Sequence, residues 1–148
     1  MQDVKHILTP VDFSENAGKV LQTAVYYAGK LGAKLTVVFV VQSFEDYSGF
    51  FVPHIPIAQF EAEMLASAQK KMTTFLAENL APDVAHDSVV LLGDIAEEIL
   101  NFAKTKAVDL VIMGTHGYKG LEKVLFGSVA AKVVKLSNCP VLTVNPYR

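Results

Sequence analysis

The chain has 148 residues, 51% of them hydrophobic and 19% charged, with a formal net charge of -2. That length sets a single domain, residues 1–148, with enough chain for a full core, and the composition excludes a disordered protein. The charge balance offers no basic excess for a nucleic-acid backbone, the one cysteine, Cys139, excludes an internal disulfide and a cysteine-based zinc cluster, and no apolar run approaches a membrane span.

The N-terminus, Met1 to His6, lacks the charged-then-apolar layout of a signal peptide, so a cytoplasmic protein is expected. Val4 to Val11 is the first predicted strand, with Pro10 near its end because proline cannot donate to a central ladder. Asp12 or Ser14 is then expected to cap a first helix from Glu15 to Leu31. Its apolar positions Ala17, Val20, Leu21, Ala24, Val25 and Ala28 follow helical spacing, and Gly32 closes it. Lys34 to Val41 is a β-branched run and the second strand. Residues 42–56 carry Gly49, Pro53, Pro56 and four aromatics, Phe44, Tyr47, Phe50 and Phe51, and read as a long surface loop. A second helix is predicted from Ile57 to Leu80 and a third strand from Ser88 to Leu92. Asp94 and Glu97 have the spacing of a capping box ahead of a third helix, Ile95 to Lys106. Asp109 to Met113 is the fourth strand, Ser128 to Leu136 the fourth helix and Val141 to Val144 the fifth strand.

Alternation of strands and helices argues for βαβ units: an open, five-stranded parallel sheet with helices on both faces. Two strand ends carry unusual residues, Pro10-Val11-Asp12 after the first and Gly114 after the fourth. Making those strands neighbours gives the order 3-2-1-4-5, with a ligand crevice between them at the switch point. Pro140 places the fifth strand at an edge. Its apolar residues 141–144 then invite a homodimer through that edge.

Between the fourth strand and the fourth helix lies a glycine-rich loop with the spacing Gly114-x2-Gly117-x9-Gly127-Ser128. It is neither a Walker A loop nor the dinucleotide Gly-x-Gly-x-x-Gly. Strand, glycine loop and helix start nevertheless make an anion site: glycines let backbone N–H groups approach phosphate oxygens, and a helix start leaves donors unpaired. Ser128 can cap the helix, donate to a phosphate, or both. Asp12 can be a helix cap or an acceptor for ribose hydroxyls. Val40, at the end of strand two, is a core residue whose backbone can also read an adenine edge. The histidines, His6, His54, His86 and His116, show no paired metal-ligand spacing. His116, Lys119 and Lys123 are expected to be solvated, and Cys139 to be a packed thiol. No nucleophile elbow and no acid pair of convincing spacing occurs, so no catalytic residue is assigned.

Three segments together resemble the universal stress protein family along essentially the whole chain: His6-Ile-Leu-Thr-Pro-Val-Asp-Phe-Ser-Glu15, the loop from Gly114 through Ser128 to Ala130, and Cys139-Pro-Val-Leu-Thr-Val144. The complete loop is similar to that of the family's ATP-binding branch. The resemblance implies a Rossmann-like, adenine nucleotide alpha hydrolase-like fold. It implies adenine near Val40, ribose near Asp12 and Gly114, and phosphates on Gly117, Gly127, Ser128 and Val129, with Pro10, Val11 and Met113 lining the pocket. It also implies a homodimer through the last strand. Phe13 stands where many members have glycine. Tyr118 stands where many have arginine, which removes one phosphate cation and leaves ATP, ADP and AMP all open as ligands, with or without magnesium. The expected protein is a cytoplasmic, nucleotide-dependent stress sensor or regulator with at most slow hydrolysis. The alternatives are a genuine ATPase or nucleotidyl-transfer enzyme on the same fold, and a nucleotide-free protein-interaction module.

Overall fold

A computed structural model of the chain describes residues 3–43, 57–116 and 127–148. The element order is β1 (His6–Pro10), α1 (Ala17–Leu31), β2 (Lys34–Gln42), α2 (Ile57–Asn79), β3 (Asp87–Gly93), α3 (Ile95–Thr105), β4 (Leu110–Gly114), α4 (Ser128–Leu136) and β5 (Val141–Val144). The strands form one sheet in the order β3-β2-β1-β4-β5, and every pairing is parallel. This is the predicted topology. The elements differ from the predicted ones mainly at their ends.

Strand alternation divides the core into two halves. Ile7, Leu35, Val37 and Ile112 point to the face covered by α1 and α2, where they meet Leu21, Ala24, Met72 and Phe75. Leu8, Val38, Val40, Val111 and Met113 point to the face covered by α3 and α4, against Ile99, Ala103, Ala130 and Val133. A strand buried on both sides has to be largely apolar at consecutive positions, which is why β1, β2 and β4 read as near-continuous hydrophobic runs, with Thr9 and Thr36 as buried exceptions.

Local chemistry sets the element ends. Gly32, in the left-handed region at φ 63, closes α1 by donating its N–H to the Ala28 carbonyl. At α3 the Asp94 carboxylate accepts from the Glu97 N–H at 3.1 Å, half of the predicted capping box. At α1 the prediction fails. Neither Asp12 nor Ser14 caps the helix: Asp12 Oδ1 accepts from the N–H of Ser14 at 3.0 Å, a turn of its own. The helix starts later, at Ala17, behind Asn16, whose side chain makes no cap bond. At the opposite end of the sheet, Asp109 Oδ2 accepts from the N–H groups of Lys5 and His6 at 2.9 and 3.0 Å, tying the start of β4 to the start of β1.

Candidate functional site

β1 leads on to β2 and β3 on one side and borders β4 and β5 on the other, so the strand order reverses between β1 and β4. The crevice above their C-terminal ends is where an open α/β sheet leaves room for a ligand. The backbone of β1 carries Pro10, Val11 and Asp12 to one wall, and Val11 N–H donates to the Val38 carbonyl at 2.9 Å. The other wall is Met113 and Gly114 at the end of β4, with Gly114 level with Val144 of β5. Met113 and Val40 are both buried, on the same face as Val129 and Ala130 of α4. Of the predicted site residues, the fold thus collects Pro10, Val11, Asp12, Val40, Met113, Gly114, Gly127, Ser128 and Val129 at one end of the sheet. Gly117, like Tyr118, Lys119 and Lys123, lies outside the described residues.

The start of α4 carries the chemistry. Its first helical residue is Ser128, and the N-cap is Gly127, at φ -69 and ψ 163, with no side-chain cap bond. Ser128 is therefore inside the helix and is not its cap. The first intrahelical bond runs from Ala131 N–H to the Gly127 carbonyl at 3.0 Å. The N–H groups of Ser128, Val129 and Ala130 have no acceptor within the helix, and the helix dipole adds partial positive charge at the same place. No acidic side chain lies in the first turn of α4, whereas α3 has Glu97 and Glu98 in its first turn and Asp94 as its cap. The base of the glycine loop is closed by Gly127 N–H donating to the Thr115 carbonyl at 2.7 Å.

Gly114 is explained by packing. A Cβ there would lie 3.2 Å from Val20 Cγ2 and 3.4 Å from the His116 carbonyl oxygen, so the missing side chain lets α1 approach β4. Phe13 is the unusual residue of the β1–α1 turn. Its φ of 61 is in the region that favours glycine. Its ring stacks on Phe39 with centroids 4.3 Å apart and meets Phe75 edge-on at 5.7 Å.

His116 is not solvated as expected: it is buried, with Nδ1 2.7 Å from Thr115 Oγ1 and its ring 5.3 Å from that of Tyr147. The C-terminal tail contributes to this burial through Tyr147, and Lys19 Nζ donates to the Pro146 carbonyl of the tail at 3.1 Å. The sequence carries no local signal for this contact. Cys139 is half-buried, as expected for a packed thiol. It borders a cavity of about 330 Å³ between the C-terminal ends of α3 and α4, with Leu100, Lys104 and Leu136. That cavity lies at the other end of the sheet from the crevice. Among the described residues, no three His, Cys, Asp or Glu side chains are grouped as a metal would need, and no helix is long and apolar enough to cross a membrane.

The model of the universal stress protein family matches residues 3–145 of the chain. Universal stress protein YxiE of Bacillus subtilis is 32% identical over 143 residues, covering 93% of this chain and 97% of its own. Universal stress protein MJ0577 of Methanocaldococcus jannaschii has a solved structure with a TM-score of 0.80 at 29% identity, covering 97% of both chains. A universal stress protein of Archaeoglobus fulgidus, solved in complex with dAMP, shares the fold at a TM-score of 0.56 and 19% identity, over 97% of this chain and 100% of its own.

Proposed function

We propose a function from one premise: the chain belongs to the universal stress protein family. On this proposal it is a nucleotide-dependent regulator of the stress response, acting in the cytoplasm, that holds an adenine nucleotide at the β1–β4 switch point. The phosphates lie on the N–H groups of Ser128 and Val129 and on the glycines at 117 and 127. The ribose lies at Asp12 and Gly114, and the adenine against the Val40 backbone, with Pro10, Val11 and Met113 lining the pocket. ATP is the ligand with the best claim, and ADP and AMP fit the same site. The observation that carries this reading is the start of α4: a helix N-terminus without a side-chain cap among the described residues and without acid in its first turn, at the switch point of the sheet. The dAMP complex of the distant Archaeoglobus protein supports an adenine ligand on this fold.

Asp12 is the acidic residue at the β1 wall, and one of its oxygens is engaged by the Ser14 N–H. On this proposal Asp12 serves the ribose, and the site holds nucleotide without consuming it. A turnover assay with ATP and magnesium tests the point: binding with less than one turnover per minute is expected. Several turnovers per second, lost in Asp12→Asn, would make the protein an enzyme instead.

The proposal includes a homodimer through β5. This edge strand has four half-buried residues, Val141, Leu142, Thr143 and Val144, and an open apolar edge invites a second copy. Sedimentation at micromolar concentration should give the dimer mass, and a monomer would remove this part.

A further inference from the structure

We infer that Phe13 is a positioning residue for the ribose: its ring holds the β1–α1 turn in a conformation that leaves one oxygen of the Asp12 carboxylate for the sugar hydroxyls. This rests on the nucleotide site proposed above.

A phenylalanine at φ 61 is unfavourable by itself; strain of this kind persists only where the surroundings enforce it. Here the enforcement is visible. The Phe13 ring is stacked on Phe39 of β2 and edge-on to Phe75 of α2, and such ring pairs stabilise beyond their buried area. The two contacts oppose the strain, so the ring and the turn stand or fall together. Phe39 directly precedes Val40, so the anchor of the turn and the adenine wall are on the same strand.

The consequence falls on Asp12. Its Oδ1 accepts from the N–H of Ser14 at 3.0 Å, a bond that spans Phe13 and therefore depends on the Phe13 backbone angles. Among the described residues Oδ2 accepts no hydrogen bond, so it remains for a ligand hydroxyl. If φ of residue 13 relaxes to a negative value, the Ser14 N–H swings away, the carboxylate gains rotational freedom, and ordering it must then be supplied by ligand binding. Phe13 itself touches no ligand; it acts through Asp12.

The test compares the affinities of ATP and 2′,3′-dideoxyATP by titration calorimetry on the full chain. A hydrogen bond to a charged group gives the wild type a preference for ATP of about tenfold or more. In Phe13→Ala the preference should fall below about threefold while dideoxyATP affinity stays within about twofold, because only the contact made through Asp12 is weakened. Phe13→Tyr, which keeps the ring, should restore the preference. Phe39→Leu, which keeps the core filled but removes the stacking partner, should reproduce the loss without touching residue 13, and it decides the matter if Phe13→Ala fails to fold. A preference retained in both Phe13→Ala and Phe39→Leu overturns the inference and leaves the nucleotide site standing. Equal weakening of both ligands also overturns it, since a merely structural role has that signature. A wild type that binds neither ligand overturns the nucleotide site, and this inference with it.

Discussion

Replacing Gly127 by aspartate should stabilise the free protein and strongly weaken nucleotide binding in one step. Gly127 is at φ -69 and ψ 163, extended backbone that any residue adopts, so the substitution brings no backbone strain. An aspartate at this N-cap can accept from the N–H of Val129 or Ala130, as Asp94 does from Glu97 at 3.1 Å in α3. Aspartate in place of glycine at an N-cap is worth a few tenths of a kcal/mol, and a negative charge at the helix start adds about 0.3–1 kcal/mol. The sum is about 1 kcal/mol, which for a domain of this size raises Tm by about 2–4 °C. The same carboxylate occupies the place assigned to phosphate. Two like charges about 4 Å apart repel by about 4 kcal/mol at an effective dielectric constant of 20. Even with half of that screened, ATP affinity falls at least about thirtyfold. Gly127→Asn, a cap without charge, should share part of the stabilisation and lose less affinity. Thermal unfolding without ligand and calorimetric titration with ATP measure both effects. A Gly127→Asp protein that is more stable and binds ATP as well as the wild type would refute the placement of the phosphates.

Thr9→Val should raise stability by about 1 kcal/mol in urea unfolding, because the fully buried Thr9 hydroxyl has no hydrogen-bond partner among the described residues and valine has nearly the same shape; a loss of stability would mean that the hydroxyl is satisfied. Gly114→Ala should cost about 1 kcal/mol or more through the contact with Val20. Combined with Val20→Ala it should cost less than the sum of the two single changes by about 0.5 kcal/mol, and strict additivity would contradict the contact. Asp87 pairs with Lys34 at 2.9 Å on the exposed side of the sheet. The Lys34 hydrogen bond first, and then its charge, hold the Asp87 carboxyl below the ordinary aspartate range. Its folded pKa lies below its unfolded one, so the pair's small contribution is present at neutral pH and disappears as the pH falls through the acidic range. NMR titration of Asp87 should show the lowered midpoint, and Lys34→Ala should bring it back up; no change would remove the pair from the account.

Strand order was legible because the signals behind it are local and unambiguous. β1, β2 and β4 are largely apolar at consecutive positions, as two-sided burial requires, and Pro140 can stand only at an edge or a strand start. The capping role of Asp94 was legible for the same reason, since one side chain and a donor three residues on suffice. Asp12 and Ser14 offered an equally good cap on paper. There the Asp12 carboxylate found a nearer donor, the Ser14 N–H, and helix formation was deferred to Ala17. The start of α4 at Ser128 was legible too; its capping role was not, because Gly127 has the N-cap backbone and no side chain to advertise it. The burial of His116 and the anchoring of β1 by Asp109 depend on contacts between residues distant in sequence, and no window of sequence contains them. The positive φ of Phe13 was hidden by its own chemistry: glycine announces such an angle, and phenylalanine conceals it until the partners Phe39 and Phe75 are in place.

Backbone amide shifts of Ser128, Val129 and Ala130, followed by ¹H–¹⁵N NMR during titration with ATP and separately with adenosine, test the central claim most directly. If the phosphates sit on the start of α4, these three N–H groups, which have no acceptor within the helix, move downfield with ATP and far less with adenosine. If ATP binds and they stay in place while other amides move, the nucleotide lies elsewhere on the protein.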